Sequence, residues 1–242
     1  MKVLAIDCGN SRIKAALLGA GPGAPEIAID LENLSHADGP WHAFLARCER
    51  AERIVVANVA GAAVARAIAE SLRSFTAEPV WVRARDTQCG VVNRYDDPAQ
   101  LGADRWAALI GAWALERDAC LVVNAGTATT VDALSARGEF LGGMILPGLA
   151  MMRTALAQGT AALPLAAGKL AAFPRNTDDA IWNGCVSAQA GAIERMWRQL
   201  PESATCLLSG GAADELYAVL NMPCLVVDNL VLQGLLLIAQ EK

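Results

Sequence analysis

The chain has 242 residues, 54% of them hydrophobic but only 5% aromatic, with 20 Lys and Arg against 25 Asp and Glu. That length suits one large domain or two modest ones, each with a substantial core. The net charge of −5 and a pI near 5.1 exclude the basic footprint of a nucleic-acid or anionic-membrane binder, and leave a small ligand as the expected partner.

In chain order, the first element is VLAIDCGNSRIKAALLG at 3–19. An apolar strand runs into Asp7, a small residue, Gly9 and the polar Asn10 and Ser11, and strand-like alternation then resumes. A P-loop or dinucleotide-binding turn would open a helix after its glycines, so a tight hairpin is expected instead. Asp7, Asn10, Arg12 and Lys14 stand where a signal peptide needs an apolar core, so the expectation is a soluble cytoplasmic protein. A turn is expected over 21–25, a strand over 26–31, a helix over 41–49, a strand over 54–58, and a helix over 62–75 with apolar spacing at Val64, Ile68 and Leu72. Residues 80–82 read as a short strand, and 86–97 have no clear period and read as a loop. Three strands followed by alternating helix and strand suit a ribonuclease H-like half built on a mixed sheet.

GADRWAALIGAWAL, 102–115, reads as a helix with Asp104 in its first turn. Capping accounts for an Asp at that place, but not for Arg105 directly after it or for Gly102 before it. A carboxylate there is expected to stay ionised, a weak base but a good orienter of a hydroxyl. The boundary between halves is expected near Glu116, giving 1–116 and 117–242, with the last helix packing back on the first half.

The second half opens on LVVNAGTATTVDAL, 121–134, which lays over the first hairpin with Asn124 on Asp7 and Gly126 on Gly9. One such hairpin is explained by a structural turn. Two in register favour facing loops that offer N–H groups and hydroxyls to phosphates, with carboxylates free for a metal ion. GGMILPG, 142–148, reads as a glycine-rich bend before a helix over 149–157, whose Met151 and Met152 are taken as core filler. A loop over 164–174 precedes a long helix over 176–200, opened by Asn176 or Thr177 as cap and by Asp178 and Asp179 in the first turn. Gly184, Ala188 and Gly191 put small residues on one face of it, open to close approach by a helix, including one of a second subunit. A strand at 206–209, the Gly210-Gly211 turn and a helix at 214–220 fit an adenosine seat and a plain tight turn equally well. A strand at 225–227 and an amphipathic helix at 230–239 close the chain; its apolar run is broken by Asp228, Asn229 and Gln233 and falls short of the ~18 residues of a membrane span.

Seven cysteines, scattered and without a C-x-x-C pair, indicate neither a disulfide framework nor a zinc site, and most are expected to be buried. The two histidines, His36 and His42, lie away from every other chemical signal and are expected to serve surface or packing. Ser-His-Asp and Cys-His mechanisms are thereby excluded, and acid–base work falls to carboxylates.

Taken together, D-C-G-N-S at 7–11, G-A-D-R at 102–105, N-A-G-T-A-T-T-V-D at 124–132, G-G-M-I-L-P-G at 142–148 and N-T at 176–177 resemble the type III pantothenate kinases, the Bvg accessory factor family of the actin, sugar kinase and Hsp70 superfold. The resemblance covers essentially the whole chain. It implies an α/β fold of two ribonuclease H-like, actin-like ATPase halves with a nucleotide cleft between them. It also implies ATP-dependent phosphorylation of pantothenate to 4'-phosphopantothenate, the first step of coenzyme A biosynthesis. By resemblance, Asp7, Cys8, Gly9, Asn10, Ser11, Arg12, Ile13 and Lys14 form the first phosphate loop, and Gly126, Thr127 and Thr129 the second. Asp104 would be the base; Tyr95, Gly102, Ala103, Asp104, Arg105 and Thr177 would contact pantothenate, Thr177 across a homodimer interface. Mg²⁺ would enter with ATP beside Asp7. A monovalent cation, K⁺ or NH₄⁺, belongs to the family site at which many members carry Asp and this chain carries Asn124, which keeps a carbonyl ligand and loses the charge. The alternatives are a non-catalytic or moonlighting transcriptional accessory factor on the same fold, or another small-molecule kinase of the superfold.

Overall fold

The computed structural model describes residues 1–19, 25–32, 38–165 and 167–241. Residues 21–24 of the turn expected over 21–25, and His36, lie outside the described residues. The chain divides into two compact units: Met1–Leu115 with Asn229–Lys242, and Glu116–Asp228.

In the first unit, strands β1 (Val3–Cys8) and β2 (Ile13–Leu18) form the hairpin expected from their alternation, with Asp7 opposite Lys14. Strand β3 (Ile27–Leu31) pairs antiparallel with β2. On the other side β4 (Arg53–Asn58) runs parallel to β1, with Ala57 beside Asp7, and β5 (Pro79–Trp81) runs parallel to β4. The order is β3-β2-β1-β4-β5. Strands β1 and β4 read as unbroken apolar runs because both faces are covered: Val3, Leu4, Ala5 and Ile6, and Ile54, Val56 and Ala57, are all fully buried. Helices α1 (Asp38–Arg47) and α2 (Ala62–Ser71) cover one face, packing Trp41, Phe44, Leu45 and Ile68 on Leu4, Ile6, Leu17 and Val56.

The stretch 86–97, expected to be a loop, holds a small hairpin, β6 (Thr87–Gln88) and β7 (Val91–Asn93). It turns at Cys89 and Gly90, both at positive φ (49° and 82°), the geometry a two-residue hairpin turn requires. Helix α3 (Ala103–Glu116) follows.

Across the second unit run β8 (Cys120–Ala125), β9 (Ala128–Leu134) and β10 (Glu139–Pro147), then helices α4 (Leu149–Gly159) and α5 (Thr177–Trp197), strand β11 (Thr205–Ser209), the short helix α6 (Ala213–Tyr217) and strand β12 (Cys224–Val226). Within this unit the order is β10-β9-β8-β11-β12, with β9 and β10 antiparallel and β11 and β12 parallel to their neighbours. These are the order and senses of the first unit repeated, so the duplication seen in two hairpins extends to five strands in each unit. Asn124 lies between Thr130 and Ser209 as Asp7 lies between Lys14 and Ala57.

The last helix, α7 (Leu230–Gln240), belongs to the first unit. Its expected amphipathic character gives way to burial of Leu230, Val231, Leu232, Leu235, Ile238 and Ala239. The reason is geometric: α7 is held between the sheet and α3, touching β1 and β4 on one side and α3 on the other through two glycines. A methyl group at Gly111 would fall 2.7 Å from the Leu230 carbonyl oxygen, and one at Gly234 would collide with the Ala107 carbonyl oxygen. Gly234→Ala is therefore expected to destabilise by about 3 kcal/mol, the upper end for overpacking against backbone, read as a drop in the urea midpoint with unchanged m. No described helix is long and apolar enough to cross a membrane.

Candidate active site

The first phosphate-type loop is closed by the Gly9 N–H donating to the Arg12 carbonyl at 2.9 Å. A side chain at Gly9 would press on that oxygen at 3.2 Å. Asn10, Ser11 and Arg12 are exposed, and Cys8 and Ile13 are core residues whose contribution to the loop is backbone. Arg12 Nε donates to Asp30 Oδ1 at 2.8 Å, an exposed pair of small energetic worth. The tip thus presents polar groups on a rigid two-strand base.

Asp7 is the chemical anomaly of this unit. Its Oδ1 is buried and has no hydrogen-bond partner. Burial first, then the negative charge of Asp104, push its carboxyl up to about 7, with Lys14 pulling the other way. A buried carboxylate oxygen left without a partner is costly and is the donor type that a hard cation takes up.

Asp104 sits in the first turn of α3, where its Oδ1 accepts the Arg105 N–H at 2.8 Å. A methyl group at Gly102 would stand 2.6 Å from that same Oδ1, so the glycine is what leaves the carboxylate room. Burial raises the Asp104 pKa from the ordinary Asp value, against the lowering effects of the Arg105 N–H and charge. A raised pKa makes it a stronger proton acceptor than an exposed Asp.

Arg105 is buried, with its guanidinium 5.8 Å from the centroid of the Tyr95 ring, within cation–π range. The structure therefore brings Asp104, Arg105 and Tyr95 together, with Asp7 close enough to feel the charge of Asp104. Several residues that hold them were not legible as functional. Asn93, a buried amide, accepts the Tyr95 N–H at 3.1 Å and donates to the Pro98 carbonyl at 3.3 Å. Gln88 accepts from Trp106 Nε1 at 2.9 Å and donates to Glu241 at 2.9 Å, and Glu241 also takes the Cys89 N–H at 2.7 Å. The start of α3 is thus tied to the small hairpin and to the end of α7.

In the second unit, the Gly126 N–H donates to the Ala128 carbonyl at 3.1 Å, and Thr127 is the exposed tip. Gly148 underlies this loop: its N–H donates to the Thr127 carbonyl at 2.9 Å, and a methyl group there would collide with the Gly126 carbonyl oxygen. Gly210, at φ 102°, lies where a methyl group would come within 2.5 Å of the Ala125 carbonyl, which also accepts the Ala212 N–H at 3.0 Å. The Gly210-Gly211 turn and the second loop are therefore neighbours. Thr129 is buried, its hydroxyl donating to Gln189 at 2.9 Å. Asn124 is half-buried on β8.

Thr177 is exposed at the start of α5, just after Asn176, whose side chain caps the helix by accepting the Asp179 N–H at 2.8 Å. It lines an apolar groove of about 780 Å³ between α4 and α5, with Met151, Met152, Leu156 and Ile181. Met151 is 45% exposed there, which corrects its reading as core; Met152 packs against the cluster of Leu149, Ile181 and Cys185. Gly184, Ala188 and Gly191 are likewise exposed on α5. Five of the seven cysteines are buried and His42 is exposed, as their sequence surroundings suggested. Among the described residues, no group of three or more His, Cys, Asp or Glu side chains could hold a metal ion by itself.

A family model described as type III pantothenate kinase matches residues 3–199. A protein of that name from Aromatoleum aromaticum is 54% identical over 99% of this chain and 98% of its own length. The one from Azoarcus sp. strain BH72 is 48% identical over 98% of this chain and 90% of its own. Among solved structures, a Campylobacter jejuni protein described as a conserved Baf family transcriptional activator superposes with a TM-score of 0.62 at 21% identity, covering 96% of this chain and 94% of its own. The activator of 2-hydroxyisocaproyl-CoA dehydratase from Clostridium difficile, with bound ADPNP, gives 0.57 at 10% identity over 99% and 93%. Structures this distant in sequence establish the fold alone, that of the actin-like ATPases and sugar kinases. Identity near one half over the full length carries more, and by it the chain belongs to the type III pantothenate kinase family.

Proposed function

We propose that the chain transfers the γ-phosphoryl group of ATP to the terminal hydroxyl of pantothenate, with Asp104 as the base and Asp7 beside the phosphates. The observation that carries this reading is the pair itself: a buried Asp7 oxygen with no partner, next to a second carboxylate of raised pKa on a helix start. Phosphoryl transfer asks little covalent chemistry of the protein and needs mainly positioning and charge neutralisation. Asp104 orients the hydroxyl and takes its proton as the oxygen attacks; the bond from the γ-phosphorus to the bridging oxygen breaks and ADP leaves. Arg105, braced against Tyr95, holds the pantothenate carboxylate. The exposed Asn10, Ser11 and Thr127 supply hydroxyl and amide donors to phosphate oxygens.

The orphaned Asp7 oxygen fits a divalent cation brought in with the nucleotide, whose other ligands would come from phosphate and water. Bound there, Mg²⁺ would neutralise charge on the β- and γ-phosphates. Asn124, at the place in β8 that Asp7 holds in β1, is the candidate for a monovalent cation, K⁺ or NH₄⁺, which it would meet with a carbonyl and no charge. The exposed apolar groove beside Thr177 and the small-residue face of α5 support a homodimer, and the reading places the enzyme in the cytoplasm.

The test is ATP consumption by purified protein with Mg²⁺, with and without pantothenate, in potassium and in sodium buffers. Pantothenate-dependent turnover is expected, and a rate increase in potassium would assign Asn124 a cation site; nucleotide binding without turnover under every condition would sink the kinase reading.

A further inference from the structure

Gln189 is a side chain that the mechanism above does not use, and of the buried polar side chains described it is the one with no exposure at all. In a helix, a polar residue reads as part of the solvent face. Here it points into the unit, where an amide with open hydrogen-bond capacity would be costly. Its capacity is filled. Oε1 accepts the Thr129 hydroxyl at 2.9 Å, Nε2 donates to the Pro147 carbonyl at 2.8 Å, and the Met152 sulfur lies 3.6 Å from Nε2. The carbonyl partner fixes which end of the amide is which, and so makes Thr129 the donor.

Both partners adjoin the same loop. Thr129 is two residues past its tip at Thr127, and Ala128, between them, pairs with Pro147 across β9 and β10. Pro147 precedes Gly148, whose N–H holds the Thr127 carbonyl at 2.9 Å. Gln189 therefore grips the loop from both of its supports at once, from a helix that otherwise packs Cys185, Val186 and Ile193. The Thr129 hydroxyl proton is spent on this grip. A hydroxyl has one proton to donate, so Thr129 cannot also donate to a phosphate oxygen while the contact stands.

From this geometry we infer that Gln189 is a positioning residue for the second phosphate loop: it sets the Gly126–Thr127 tip for the nucleotide, and Thr129 serves the loop's shape and not direct phosphate contact. The inference rests on the assignment of this loop to ATP phosphates. Removing one partner of a buried pair leaves the other unsatisfied, whereas removing both with apolar groups of similar shape is far less disruptive. Gln189→Leu and Thr129→Val should therefore each weaken nucleotide binding, and the double variant should lose less than the sum of the two.

The experiment is titration of the full chain with a fluorescent ATP analogue and Mg²⁺, with steady-state KM values for ATP and pantothenate, on the wild type, both single variants, the double variant and Ile193→Val. Ile193 is fully buried one turn along the same helix, in the apolar cluster beneath the sheet, and as a hydrocarbon makes no hydrogen bond to the loop, so its variant reports a packing loss alone. The expected result is a roughly tenfold weaker dissociation constant and KM for ATP in each single variant, the size of one buried hydrogen bond. The KM for pantothenate should be unchanged, the double variant sub-additive, and Ile193→Val less stable with wild-type ATP affinity. If Gln189→Leu is too unstable to purify, Thr129→Val carries the same expectation alone. Wild-type ATP affinity in either variant, or equal loss in Ile193→Val, overturns the inference while leaving the kinase reading intact. A wild type that binds no nucleotide overturns both.

Discussion

Asp104→Asn should lower kcat by about 10³-fold, within the range ascribed to a positioned general base, and leave nucleotide affinity within about twofold of wild type, since only interactions confined to the transition state are lost. The substitution is close to isosteric, and its Oδ1 still accepts the Arg105 N–H that Asp104 now takes at 2.8 Å. The room left by Gly102 is unchanged. What disappears is the capacity to accept the proton of the attacking hydroxyl. Burial raises the Asp104 pKa, so the wild-type rate should fall, as pH drops, at a point above the ordinary Asp range. The residual rate of the variant should lack that limb. Steady-state kinetics over pH with a parallel nucleotide titration decide the matter; wild-type turnover in Asp104→Asn would remove this residue as the base. A loss of nucleotide affinity equal to the loss of rate would instead assign Asp104 to binding.

The two hairpins were legible because they are local: a strand's alternation, a glycine and a run of Asn, Ser or Thr are all read within about a dozen residues. The repeated strand order follows from them, since each hairpin is followed by the same alternation of helix and strand. The hairpin at 87–93 was not legible, because two and three paired residues are too few to show a period, and its turn places Cys89 at positive φ with no Asn-Gly or Asp-Gly signal. Helix α7 reads as amphipathic in the sequence because Asp228, Asn229 and Gln233 interrupt its apolar run, whereas its glycine contact with Ala107 is a fact of packing. Within the site, residue types were readable and their states were not. D-C-G-N-S and G-A-D-R give carboxylates at the right places, but nothing local says that burial raises both pKa values, or that the charge of Asp104 reaches Asp7. Gln88 and Gln189 escaped because their partners, Trp106 and Glu241 for one and Thr129 and Pro147 for the other, are far away in sequence; Asn93 bonds only Tyr95 and Pro98 nearby, but a lone amide in a stretch without a period carries no local signal.

Asp7→Asn should separate stability from function, raising the first and removing the second. In the ligand-free protein the Asp7 carboxyl is pushed from 3.8 to about 7, so the folded state binds its proton more tightly than the unfolded chain does. A group with a raised folded pKa contributes stability that is full below the unfolded value and is lost as pH rises through the folded one. The ligand-free protein should therefore lose stability between about pH 4 and pH 7 on account of this residue, by at most about 4 kcal/mol, the shift converted at 1.36 kcal/mol per unit. Asparagine carries no charge to bury. The variant should match the wild type at or below about pH 4, where Asp7 is protonated in both states, and exceed it at pH 8 by up to roughly 10 °C in Tm for a chain of this size. Addition of ATP with Mg²⁺ should reverse the order at pH 8. In the wild type the cation takes up the ionised Asp7 oxygen and stabilises the fold by mass action, releasing a proton on binding near neutral pH. The variant lacks the charge, so it should gain little from the nucleotide and turn over at least about 10²-fold more slowly, the scale of losing one electrostatic contact at the reacting phosphate. Thermal melts at pH 4 and pH 8, each with and without the nucleotide, read all of this in one set of samples. A variant no more stable than the wild type at pH 8 would mean that Asp7 is not held at a raised pKa. One that still melts higher with ATP and Mg²⁺, by the same margin as the wild type, would place the cation elsewhere.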